Sequence, residues 1–98
     1  MIKITLSDNF EAHLLDILTF IAKDSKERSL NFRNELMREI SKLVFMPKSH
    51  RKNRILNDEN ARDLIFKKYI IPFYIFDDEI FVIDIYKHNI PSLNIPKI

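Results

Sequence analysis

Ninety-eight residues with 46% hydrophobic and 31% charged side chains make one small domain, since a chain of this length buries a single core and leaves nothing for a second. The chain holds no Cys and no Gly, which excludes a disulfide framework, a thiolate zinc site, a cysteine nucleophile, a P-loop and a glycine-rich dinucleotide fingerprint. A formal charge of only +2 argues against a protein held to nucleic acid by charge alone.

Residues 2–6, IKITL, alternate apolar and polar with β-branched members and predict a short, half-buried strand. Ser7 and Asp8 then offer cap oxygens, and Glu11 stands at the capping-box distance from Asp8. Phe10, Leu14, Ile17 and Ile21 recur at helical spacing, so a helix is predicted over 8–23. Asp24 and Ser25 end it and cap a second helix over 26–45, with Glu27 three residues after Asp24 and a stripe of Phe32, Leu36, Ile40 and Leu43 running up to Pro47. So short a connector dictates an antiparallel helical hairpin.

The stretch 47–60, PKSHRKNRILNDEN, is polar and without period, and reads as a loop. Three runs rich in Ile, Phe, Tyr and Val follow: ARDLIFK at 61–67, YIIPFYIF at 69–76 and EIFVIDIYK at 79–87. They predict a three-stranded meander, with Asp77-Asp78 as a tight turn because Asp tolerates left-handed backbone. Pro72 lacks a ladder donor and marks an edge or a bulge in the middle run. Pro91 and Pro96 predict an extended tail over 90–98. The fold class is therefore α+β, in the order β-α-α-β-β-β, with a helical hairpin packed on one face of a small, mostly antiparallel sheet. Residues 1–89 form the domain.

The charge is unevenly placed. Between Lys48 and Lys68, seven basic residues (Lys48, Arg51, Lys52, Arg54, Arg62, Lys67 and Lys68) stand against Asp58, Glu59 and Asp63, a net of +4 that leaves −2 for the rest of the chain. An anionic partner facing the middle of the chain would suit that pattern, although a short basic loop is also an ordinary solvated surface. Arg62 could hold an anion or pair with an acid across the sheet. His13 reads as a boundary residue of the first helix. The three His are far apart and no ligand spacing appears, so neither metal nor cofactor is expected. No apolar run approaches the roughly 18 residues of a membrane span, and Met1 begins a strand and not a leader. The expectation is a soluble, cytoplasmic protein with no membrane partner.

Three segments carry a resemblance: LVFMPKSHRKNR at 43–54, ARDL at 61–64, and YIIPFYIFDDEIFVIDIYKH at 69–88. Together with the order of elements over residues 2–89, they resemble the RelE/ParE superfamily of bacterial toxins from type II toxin-antitoxin pairs. The superfamily divides into ribosome-dependent mRNA endonucleases on the RelE side and DNA gyrase inhibitors on the ParE side. In nuclease relatives an Arg follows the aromatic that opens the hairpin, whereas Tyr69 here is followed by Ile70, which cannot stabilise a phosphorane. His88 falls where some nucleases carry a catalytic His, but the adjoining Tyr is Asn89. The departure from ParE is milder: Lys87 and His88 occupy the neighbourhood where a His precedes basic residues.

The resemblance thus implies a ParE-like inhibitor of gyrase that is not an enzyme. A RelE-type, metal-independent endonuclease acting on ribosome-bound mRNA, with Arg62 and His88 as catalytic candidates, stays open as the alternative. A non-catalytic nucleic-acid-binding module is the second alternative. Target or nucleic-acid contact falls to Lys48, Arg51, Lys52, Arg54, Arg62, Lys67, Tyr86, Lys87 and His88. The resemblance also implies a cognate antitoxin, with operator DNA reached only through it. The apolar arc of the first helix exceeds half its circumference, with Leu18 and Ala22 to one side of the stripe, Leu15 further round and Phe20 on the opposite side. Leu15 and Leu18 are the expected antitoxin anchors.

Overall fold

The computed structural model describes residues 2–87. His88 and the tail at 90–98 lie outside the described residues. The elements are β1 (Lys3–Leu6), α1 (Asp8–Ala22), α2 (Lys26–Ser41), β2 (Arg51–Lys52), β3 (Ala61–Phe66), β4 (Tyr69–Ile75), β5 (Glu79–Val82) and β6 (Tyr86–Lys87), with short 3₁₀ turns at Lys42–Val44 and Pro47–Ser49.

Both helices start on serine, one residue away from the acid the capping-box spacing favours. Ser7 Oγ accepts from the Phe10 amide at 2.9 Å and donates to the Ile83 carbonyl at 2.6 Å. Ser25 Oγ accepts from the Arg28 amide at 3.1 Å. The expected pairs Asp8/Glu11 and Asp24/Glu27 therefore form no box. Asp8 and Glu11 sit in the first turn of α1, where their charge opposes the positive end of the helix dipole. Helix α2 ends at Ser41 and not at 45: Ser41 Oγ turns back to the Arg38 carbonyl at 2.7 Å and the chain tightens ahead of Pro47.

The sheet runs β1-β5-β4-β3-β2, with β1 parallel to β5 and the other pairs antiparallel. The helical hairpin covers one face. Its apolar stripes bury Phe10 and Leu14 of α1 and Phe32, Leu36 and Ile40 of α2, followed by Leu43, against Leu64, Phe66, Ile71, Phe73, Ile80 and Val82 of the sheet. Phe32 stands edge-on to Phe66 and Tyr69, with ring centroids 5.3 and 5.6 Å away.

Two further expectations are corrected. The loop at 47–60 contains β2, a two-residue edge strand on β3, too short to show a period. The last apolar run is two strands and not one: Phe73 pairs with Val82, but Ile70 pairs with Tyr86, so Ile83, Asp84 and Ile85 oppose only Ile71 and Pro72. The surplus residue is a bulge, and it explains Pro72. Ile83 donates to the Pro72 carbonyl at 2.8 Å, so the missing Pro72 N–H faces the bulge, where the ladder is already interrupted.

The Asp77-Asp78 turn is present, closed by the Phe76 amide on the Glu79 carbonyl at 2.7 Å. The left-handed residues are elsewhere, at Asn57 (φ 50°) and Lys67 (φ 55°). In a chain without glycine, Lys67 takes the left-handed corner between β3 and β4. Its ammonium is 3.1 Å from Glu35 and lies 5.5 Å over the Phe66 ring.

Candidate functional site

Strand alternation sorts the candidate residues onto opposite faces of the sheet. Arg51 pairs with Asp63, Asp63 with Pro72, and Ile70 with Tyr86, which places Arg51, Asp63, Ile70 and Tyr86 on the face without helices. Asp63 is buried. Its carboxylate accepts from Arg51 Nε at 3.0 Å and from Asn53 Nδ2 at 2.7 Å, while the buried Asn53 accepts the Leu56 amide at 2.8 Å. A buried carboxylate with two such donors offsets its desolvation. Only the Nε of Arg51 is engaged, so its two Nη groups have no hydrogen-bond partner among the described residues. Burial pushes the Tyr86 phenol above its usual pKa, with the Asp63 charge adding to the rise, so the hydroxyl stays neutral.

Arg62 and Lys52 lie on the opposite face, at the open end of the helical layer. Arg62 Nε donates to the Glu59 carbonyl at 2.9 Å, Nη1 donates to the Lys48 and His50 carbonyls at 3.0 Å each, and Nη2 donates to the Glu59 carboxylate at 2.9 Å. Its side chain is only 11% exposed. The guanidinium is the knot that ties the basic loop to β3, and the acid it pairs with is three residues back and not across the sheet. Lys52 reaches the same Glu59 at 3.7 Å. His50 stands edge-on to Phe73 at 5.6 Å, and burial pulls its pKa below the usual histidine value. Lys48 and Arg54 make no ion pair among the described residues. Arg51, Lys52, Asn53, Arg54 and Asn57 line a surface depression of about 430 Å³ at this edge.

A second depression, of about 230 Å³, lies between the helices and is lined by Leu6, Phe10, Glu11, Leu14, Leu15, Leu18, Arg33 and Met37. Leu15 is 63% exposed at its rim, whereas Leu18 is half-buried against the core. Phe20, on the other flank of α1, is also exposed.

A family model, the ParE toxin of the type II toxin-antitoxin system parDE, matches residues 4–90. The chain belongs to the ParE toxin family. The toxin is similar in structure to a chain of the chromosomal ParDE TA system from P. aeruginosa, with a TM-score of 0.71 and 17% identity over 89% of the toxin and 96% of that chain. The conserved hypothetical protein HP0894 from Helicobacter pylori is 18% identical over 91% of the toxin and 97% of that chain, with a TM-score of 0.45. A search of curated proteins finds no match. At such identities the first likeness speaks for the fold.

In this ParE toxin the candidate residues divide into separate places. Lys48, Arg51, Lys52, Arg54 and Arg62 gather where β3 begins, while Lys67 follows the end of β3 and Lys87, paired with Tyr69, sits at that far end. Tyr86 alone joins Arg51 on the open face. Asn53, Asp63 and Glu59 organise the basic edge, yet no spacing in the sequence singles them out. Among the described residues, no cluster of His, Asp and Glu could hold a metal ion, and no helix is long and apolar enough to cross a membrane.

Proposed function

We propose that this ParE-type toxin arrests growth by inhibiting DNA gyrase and is neutralised by a cognate antitoxin. One observation carries the choice of gyrase over mRNA cleavage: the Arg62 guanidinium is spent on three loop carbonyls and Glu59. Attack by a ribose 2′-OH needs a base, an acid and a cation on the in-line phosphate. On the open face Asp63 is buried and paired and so is not free as a base, the neutral Tyr86 can serve only as an acid, and the buried Ile70 lies beside it in the register. Supercoiling by purified gyrase is expected to fall as the protein is titrated, with ribosome-bound mRNA left whole. Codon-phased cuts in translated mRNA would overturn this reading and make Arg62 and His88 catalytic candidates again.

Induction in a bacterial host without the antitoxin is expected to lower colony counts by orders of magnitude. Unchanged viability at good soluble expression would mean that this member has no toxic action. The antitoxin segment docks across the helical hairpin and the neighbouring sheet edge, with Leu15 and Leu18 beneath it; operator DNA is reached only through the antitoxin.

The Nη groups of Arg51, without a partner among the described residues, and Lys52 and Arg54 beside them favour a second reading, phosphate contact at the basic edge. It predicts salt-dependent affinity for bare DNA or RNA and no growth arrest.

A further inference from the structure

The bulge between β5 and β6 is fastened at every residue. The Ile83 carbonyl accepts from Ser7 Oγ at 2.6 Å, and the Val82 carbonyl just before it accepts the Ser7 amide at 3.0 Å. Asp84 Oδ1 accepts the Ile85 amide at 2.7 Å and shares a 2.6 Å hydrogen bond with His13 Nδ1 of α1. The extra residue moves the register by one, so that Tyr86 and not Ile85 faces Ile70. A one-residue slip would send every following side chain to the other face. Tyr86 reaches the open face, and Lys87 the helical face, only while the bulge holds.

We propose that His13 is a positioning residue: through Asp84 it clasps the bulge to α1 and so fixes the register of β6 and the placing of Tyr86 and Lys87. One oxygen, Asp84 Oδ1, serves both the Ile85 amide and the His13 ring, so the bulge backbone and α1 are joined through a single atom. The charged groups that act on the imidazole are Asp84 on the bulge and Asp16 on its own helix, and the hollow beside it is lined also by Tyr69 of β4 and by Tyr86 and Lys87 of β6. The hydrogen bond to Asp84, then its charge, raises the His13 pKa, with Asp16 adding a smaller push. A histidine raised in the folded state contributes its stabilisation fully below the unfolded value and loses it as pH climbs through the folded one. The clasp is therefore tighter at pH 6 than at pH 8.

Amide hydrogen exchange followed residue by residue tests this without reference to any target. His13→Ala is expected to lower protection of Ile83, Ile85 and the β6 amides by about 5-fold, the scale of a lost exposed ion pair, while Ile71 and Phe73 keep theirs. His13→Asn, which keeps a donor near the Nδ1 position, should restore most of that protection and abolish its difference between pH 6 and pH 8. Unchanged protection in His13→Ala would overturn the proposal. So would a uniform loss across the whole sheet, which would make His13 a general stabiliser and not a positioning residue.

Discussion

Replacing Arg62 by alanine is expected to destabilise the toxin by about 2–4 kcal/mol, seen as a lower urea midpoint at unchanged slope. Four hydrogen bonds disappear together, three of them to the loop carbonyls of Lys48, His50 and Glu59. The side chain is nearly enclosed, so water replaces those donors poorly. Arg62→Lys should recover less than half of the loss, because a lysine ammonium cannot serve carbonyls on two sides of a planar fork at once. The effect should be local in kind: the loop at 47–60 should exchange its amides faster while the helical core keeps its order. A midpoint equal to that of the wild type would mean that the knot contributes no net stability.

Long-period features of this fold were legible in the sequence, and features made by a single contact were not. The stripes Phe10–Leu14 and Phe32–Leu36–Ile40–Leu43 repeat over several turns, so their buried face follows from spacing alone. The caps could be placed only to within a residue. Ser7 and Asp8 both qualify chemically, and the choice of Ser7 depends on the Ile83 carbonyl, which waits on the far side of the chain for its hydroxyl. Pro72 announced the bulge because a missing donor is a property of one residue type. Strand β2 gave no signal, since two residues cannot alternate.

The site was less legible than the fold, and Arg62 shows why. Its position at the head of a strand resembles the family pattern, but its partners are mostly backbone carbonyls, which no side-chain motif encodes. The same holds for His13 and Asp84, 71 positions apart, which meet only because a bulge and a helix start share one corner. In the sequence Asp63 is one acid within ARDL; its burial beneath Arg51 and Asn53 follows from pairing with β2, two residues inside a polar stretch without period.

Leu15→Asp is expected to weaken antitoxin binding by several kcal/mol while leaving folding within about 0.5 kcal/mol of the wild type. The two effects separate because Leu15 and Leu14 are neighbours with opposite environments: Leu14 is 8% exposed in the core, Leu15 is 63% exposed at the rim of the inter-helical depression. Aspartate at 15 stays hydrated in the free toxin and costs little there. Under a docked apolar segment it would lose that hydration with Glu11 also nearby and only Arg33 across the depression to offset it. An interface of standard size buries about 1,600 Å² in total, yet a few central apolar anchors carry most of its energy. One charge at such an anchor is therefore felt far beyond its share of the area. Calorimetric titration with the antitoxin, together with a melting curve, decides the matter. If Leu15→Asp unfolds the domain, Leu15 belongs to the core. If the variant folds and binds normally, the antitoxin docks elsewhere and the exposed Phe20 flank of α1 becomes the next surface to alter.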